Sequence, residues 1–322
     1  MKDDLKTEIS RNVANKMRHY AKELLFGTLE EQFGLLRRYA VEILRTNPGS
    51  TVMIALYEQV FKGIYICFNA CKAGFRIGCR KVIGVDGCHL RGFFGGIMLT
   101  AKENTDTWRW FLKYLQEDIE IGNGRGWTLM TDRQKGLQNV CEELFLEAEH
   151  RFNVRHMYTN FFSARYKSKT LKDFLWRAAK ATTVAEFRYW MQKIRDVSEE
   201  AYGWLIKRHP QETKTREDEM TRRWQVDCSR ETYVVDLEEW TCACRKWELA
   251  GIPCMHAIAV IRDCRNEPED FVDNCYMVET YMNIYNNIMN PINDKMLWPE
   301  VDAPTIIHPK WNVPQRGKKQ KK

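Results

Sequence analysis

Residues 241–256 read TCACRKWELAGIPCMH. Cys242 and Cys244, one residue apart, are followed after nine residues by Cys254 and His256. Three thiolates and one imidazole complete a tetrahedral shell, the ligand set of a structural Zn2+ site. The first pair ends a strand-like stretch, where successive side chains point to opposite faces, so convergence of both thiols requires a sharp local turn. The second pair opens the helical pattern His256–Ile261, and Gly251 with Pro253 makes the knuckle that brings it round. Four protein ligands leave no open position for water, so the expected site is structural and not catalytic.

Moving upstream, Trp224–Leu237 has strand character through Tyr233, Val234 and Val235, and Gln211–Arg223 is a charged connector. Leu171–Lys207 reads as helical, with Phe187, Trp190, Met191 and Ile194 on one face. Further back, KVIGVDGCHL (81–90) and GGIMLTA (95–101) read as two strands, expected to pair as a hairpin. A helical stripe follows (Trp108, Phe111, Leu112, Leu115, Ile119), then a third strand, Trp127–Asp132, and a helix over Leu137–Phe145. This order of strand, strand, helix, strand, helix predicts a mixed α/β layer arrangement. At the N-terminus, Leu5–Leu24 and Phe33–Leu44 have helical spacing and stop at the breaker Asn47-Pro48-Gly49-Ser50. These two basic, amphipathic helices either pack on each other or contact DNA. The expected organisation is a basic helical region (1–80), an α/β domain (81–165), a helical segment with charged linker (166–223), a zinc finger region (224–290) and a disordered basic tail (291–322).

With 44% hydrophobic and 29% charged residues, the 322-residue chain has an ordinary globular composition and length for about two domains. It has no apolar run of the roughly 18 residues that a spanning helix needs, so no membrane association is expected. The start MKDDLKTEIS does not read as a signal peptide. Eleven cysteines are an odd count for a disulfide framework, and an intracellular chain with reduced thiols is the expectation. The net charge of +7 is concentrated at the two ends. Residues 1–81 carry 14 Lys and Arg against 8 Asp and Glu, residues 310–322 carry six against none, and the body between holds 30 against 35. The body therefore offers no broad basic groove for a phosphate backbone.

Asp86 and Asp132 each end a strand, and two carboxylates on neighbouring strands can hold a divalent metal for in-line phosphodiester attack. Cys67, Cys71 and Cys79 lack a convincing fourth ligand and read as buried thiols.

VIGVDGCHLRGFFGGIMLTA, MTDRQKGLQNVCEELFLEAEHRFNVRHMYTNF and TCACRKWELAGIPCMHAIAVI resemble blocks of plant Mutator-like transposases and of proteins domesticated from them. The upstream NPGS and FKGIYICFNACKAGFRIGCRKV fit the same family, so the resemblance covers essentially the whole chain. It implies an RNase H-like domain with an Asp-Asp-Glu triad that cuts and joins DNA, followed by a SWIM-type zinc finger. Asp86 falls on the first acid of that triad and Asp132 on the second. The chain departs from the family in three places. After Ala101 it passes directly to Lys102-Glu103-Asn104, without the family's further segment; Asn153 replaces the usual cysteine ahead of His156; and no Asn-Asn-x-x-Glu-Ser-Phe-Asn-like block supplies a third acid between His209 and Cys242. Glu186, Glu212, Glu217 and Glu219 are available acids without a supporting motif.

The expectation is thus a truncated RNase H-like α/β fold with a SWIM finger and no catalysis. Mg2+ or Mn2+ would enter only in the alternative of an active nuclease. Arg316, Lys318, Lys319, Lys321 and Lys322 lack the Arg-Pro of a groove-inserting tail, leaving nuclear import or phosphate attraction as their role. DNA, or a protein docked on the finger, is the expected partner, in the nucleus.

Overall fold

Ser10 and Thr28 start the first two helices by accepting backbone N–H groups that a helix leaves unpaired. The computed structural model describes residues 10–87, 89–90, 96–97, 104–207, 223–228 and 231–309. In it Ser10 caps α1 (Arg11–Phe26), and Thr28 with Glu31 forms a reciprocal capping box on α2 (Leu29–Gly34). α3 (Leu36–Thr46) ends at Asn47, where the Asn-Pro-Gly-Ser breaker was expected to act. The chain divides into two compact units, residues 1–151 with 283–322, and residues 152–282.

In the first unit the region up to residue 80 is not wholly helical. β1 (Thr51–Tyr57) and β2 (Val60–Cys67) form an antiparallel hairpin, turning at Glu58 and Gln59 with φ of 47° and 64°. Two successive left-handed residues match the twist of the flanking strands. After α4 (Asn69–Gly78) come β3 (Val82–Val85), β4 (His89–Leu90), β5 (Gly96–Ile97), α5 (Thr105–Asp118), β6 (Thr128–Thr131), α6 (Lys135–Leu144) and β7 (Glu149–Phe152). Of the expected hairpin between 81–90 and 95–101, the described residues hold the two-residue antiparallel pair β4–β5. The long apolar run pairs elsewhere: β3 lies parallel to β6, in a three-stranded sheet ordered β3-β6-β7. α5 supplies the crossover that a parallel pair requires. Val85, Leu112, Leu129, Leu137, Val140 and Phe145 meet in the core beneath it.

A buried polar cluster ties the hairpin to the helices. Asp118 on α5 accepts from Thr51 Oγ1 at 2.7 Å, Tyr65 Oη at 2.8 Å and Lys72 Nζ at 2.7 Å. Burial alone would push this carboxyl up, yet its donors, Lys72 foremost, hold it below the usual carboxylate range.

Residues 291–309, part of the tail expected to be disordered, are ordered, and residues 310–322 lie outside the described residues. The 291–309 stretch runs over α3 and β2, with Ile306 only 1% exposed. Phe61 N–H donates to Ile307 O at 2.9 Å and Ile307 N–H to Gln59 O at 2.8 Å. Arg38 donates to the carbonyls of Trp298 at 2.6 Å and Pro299 at 3.2 Å, and Arg37 to that of Pro304 at 3.1 Å. The fully buried Glu42 accepts two bonds of 2.8 Å from Arg45 and one of 2.9 Å from Asn293. These donors, Arg45 above all, hold its carboxyl down to about 2.

In the second unit the expected helix over 171–207 is broken into three. α7 (Val154–Ser163) precedes α8 (Lys169–Lys180), α9 (Val184–Val197) and α10 (Glu199–Ile206). Thr183 and Ser198 make the breaks, each capping the helix that follows it. Phe161, Leu171, Leu175, Met191, Ile194 and Leu205 form the shared core. The antiparallel strands β8 (Arg223–Cys228), β9 (Glu231–Asp236) and β10 (Thr241–Cys242), ordered β10-β9-β8, then lead to α11 (Lys246–Ala250) and α12 (Met255–Asp263). The chain continues through α13 (Val278–Tyr285).

Candidate metal centre

Cys242 ends β10 opposite Val235 of β9. The turn required to bring Cys244 beside it follows at once: Arg245 N–H donates to Cys242 O at 2.6 Å, and Arg245 is left-handed with φ 59°. Gly251 terminates α11 with φ 73°, and a Cβ there would lie 2.8 Å from the Cβ of Asp273, so the position admits only glycine. Cys254 then serves as N-cap of α12, its Sγ accepting from Ala257 N–H at 3.5 Å. His256 lies in the first turn of that helix.

One ligand atom from each of Cys242, Cys244, Cys254 and His256 falls within 4.8 Å of all the others, and all four side chains are buried. His256 Nδ1 lies 3.6 Å from Cys242 Sγ and 3.9 Å from Cys254 Sγ. A tetrahedral zinc shell with Zn–S of about 2.3 Å and Zn–N of about 2.0 Å has an S···N edge of about 3.6 Å, so the donor set has the size of that shell. Its charge state fits as well. A hydrogen bond from Cys242, with burial opposing, holds Cys254 down to about 5, while the same bond and burial push Cys242 up and burial pushes Cys244 up. A cation held among the three sulfurs would favour the thiolate form of each.

Residues 233–265 match the SWIM zinc finger. No curated protein matches the chain. The SWIM finger carries its own supports beyond the ligands. Glu248 accepts from Cys242 N–H at 3.3 Å, and the indole of Trp247 donates to Phe271 O at 3.2 Å. The Tyr233 ring stacks on His256, and its hydroxyl donates to Glu231, a bond that pushes the phenol up to about 12. Sequence reasoning missed these three partners. Tyr233 had a usable signal, since it lies two residues before Val235 on β9 and so shares its face.

The two aspartates are also brought together. Val85 and Thr131 are register partners on parallel strands, and Asp86 and Asp132 are the next residues of each chain segment. One oxygen of each carboxylate and a ring nitrogen of His156, which sequence reasoning did not place here, lie within 4.8 Å of one another. Asp86 is exposed and Asp132 half-buried, its Oδ1 accepting from Gln134 N–H at 3.1 Å. Beside it Thr131 Oγ1 lies 2.6 Å from His150 Nε2, and burial pushes that imidazole down. Glu186 accepts from Thr182 N–H at 3.3 Å at the start of α9, a capping role. Asn153 caps α7 through Arg155 N–H at 2.9 Å. Cys67, Cys71 and Cys79 join no metal-ligating group among the described residues, and they are not the buried thiols expected: Cys71 and Cys79 are exposed and Cys67 is half-buried. Glu212, Glu217, Glu219 and the tail residues Arg316, Lys318, Lys319, Lys321 and Lys322 lie outside the described residues.

Proposed function

We propose that this chain is a transposase-derived, zinc-binding nuclear protein without transposition chemistry, acting by binding DNA or protein. The buried Cys3His cluster inside the SWIM finger carries the reading. Bound there, Zn2+ supplies a fixed tetrahedral cross-link and no open coordination position. Cys242 and Cys244 present their sulfurs from the end of β10 and the turn after it, Cys254 and His256 theirs from the start of α12, so the site joins strand and helix into one rigid module. The transposase origin rests on the sequence blocks around Asp86, Asp132 and the finger. Loss of catalysis rests on the missing third-acid block, since two carboxylates leave a two-metal site underligated. The nuclear assignment rests on the basic tail. DNA binding that weakens steeply with salt and disappears when residues 310–322 are removed supports a DNA role. A partner that co-purifies without DNA and is lost in Cys254→Ser supports a protein role. Retention of neither refutes the proposal.

One observation favours a second reading, an active DDE-type nuclease or transposase using Mg2+ or Mn2+ with an unidentified third acid. It is the side-by-side placement of Asp86 and Asp132 at the ends of adjacent parallel strands. Under the first reading, purified protein with either metal leaves DNA carrying terminal inverted repeats intact. Nicking that vanishes in Asp86→Ala and Asp132→Ala establishes the second.

A further inference from the structure

The geometry points to Tyr233 as the residue that positions His256 for the metal, an inference that rests on the zinc reading above. The two rings lie face to face, with centroids 3.9 Å apart and planes 15° from parallel. Neutral aromatic rings prefer offset or edge-on arrangements with centroids about 4.5–7 Å apart, because their electron-rich faces repel. A close face-to-face pair becomes favourable when one ring carries positive charge. An imidazole that shares its Nδ1 lone pair with a dication is such a ring.

The phenol is arranged to be the electron-rich member. Its hydroxyl donates to the Glu231 carboxylate, which draws the O–H dipole outward and enriches the face turned to His256. The stack also has a steric effect. His256 Nδ1 faces Cys242 and Cys254 at 3.6 and 3.9 Å. Rotation of the imidazole about its Cβ–Cγ bond carries Nδ1 out of that shell, and a ring lying flat across it resists the rotation. α12 therefore sets where the imidazole is, and β9, through Tyr233, sets its plane. Zinc-ligating histidines are usually oriented by a hydrogen bond to the remote ring nitrogen; here an aromatic face performs the orientation.

The test uses the full chain. Zinc affinity is measured by competition with a chromophoric chelator for the wild type, Tyr233→Phe and Tyr233→Leu, each with His256 and with His256→Cys. Loss of the ring should weaken binding by about tenfold or more when His256 is present, the usual effect of removing a residue that orients a ligand. Tyr233→Phe, which keeps the flat ring but loses the hydroxyl bond to Glu231 that enriches it, should weaken binding less than Tyr233→Leu. In the His256→Cys background four thiolates need no oriented imidazole, and Tyr233→Leu should have no effect on affinity. Equal weakening in both backgrounds marks Tyr233 as mere packing and overturns the inference, as does no weakening in either. Should Tyr233→Leu fail to fold, the zinc-loaded wild type decides: the His256 ring protons should be shifted upfield by the phenol ring current, and unshifted protons overturn it. A wild type that binds no zinc overturns the zinc reading and this inference together, whereas a zinc-loaded protein indifferent to Tyr233 overturns the inference alone.

Discussion

Replacing Cys254 with Ser removes one ligand from a finger too small to hold together by apolar burial. The matched segment, residues 233–265, is 33 residues long, and folds below about 40 residues usually need a metal or disulfides. Its buried apolar side chains, Val235, Leu237, Trp247, Ala257, Val260 and Ile261, surround the four ligands and lose their template when the ligands part. A structural zinc of this kind contributes on the order of 10–16 kcal/mol of apparent binding free energy at neutral pH, comparable to the stability of a whole domain. Cys254 has a second role that can be separated from the first. Its sulfur caps α12 by accepting from Ala257 N–H at 3.5 Å, and a lost N-cap costs about 1 kcal/mol. Serine keeps a capping oxygen but not the thiolate, and alanine keeps neither. Both variants should therefore lose zinc, with Cys254→Ala the less helical around residues 255–263. Elemental analysis with hydrogen exchange reads both effects. Near one zinc per chain should fall to near zero, and the amides of α12 should exchange freely, while those of α8 to α10 stay protected. A Cys254→Ser protein that keeps its zinc, or a metal-free wild type with α12 still protected, would falsify the reasoning.

Three further outcomes follow from the first unit. Asp118→Ala strands the buried Lys72 ammonium and should destabilise the protein by about 3–5 kcal/mol in urea unfolding, whereas Asp118→Leu with Lys72→Met should cost much less than the two single changes together; simple additivity argues against a coupled pair. Glu42, its carboxyl held down to about 2, binds fewer protons folded than unfolded. Its contribution is therefore full above about pH 4.5, the ordinary glutamate value, and fades as pH falls toward 2. Glu42→Gln should flatten stability in that window, and an unchanged acid slope would show that other groups set it. Ile306→Ala should destabilise the first unit by about 2–5 kcal/mol, as for other large-to-small changes in a filled core; a change near zero would mean that the 291–309 segment is dispensable.

The parts of the molecule legible in the sequence are those whose chemistry imposes spacing. The finger could be read because four ligands must converge, and no other arrangement of Cys242, Cys244, Cys254 and His256 explains the spacing so economically. The strand ends at Asp86 and Asp132 were visible because apolar runs stop there. What escaped depends on partners distant in sequence or on unusual turn chemistry. The β1–β2 hairpin turns at Glu58 and Gln59, residues that give no turn signal, since Asn and Gly normally occupy left-handed positions. The strands of Asp86 and Asp132 were read as neighbours, but the parallel register of β3 with β6 across α5 leaves no local signal beside two nearby strands that favour a hairpin. The ordered 291–309 stretch was unreadable for a further reason. Many of its anchors are backbone carbonyls, such as those of Trp298, Pro299 and Pro304, and a carbonyl leaves no trace in the residue alphabet.

That returning stretch sets a timetable for synthesis. The first unit begins with the N-terminal helices but is completed only by residues after Asn283, and the 131 residues of the second unit are translated in between. At about 5–20 residues per second this interval lasts about 7–25 s. The ligands of the finger all leave the ribosome during it, so zinc can be captured before the first unit is finished. Throughout that time the Phe61 amide lacks Ile307 and the Glu42 carboxylate lacks Asn293. For those seconds the nascent protein carries an open sheet edge and a buried carboxylate short of one donor, and both expose it to aggregation and to chaperones.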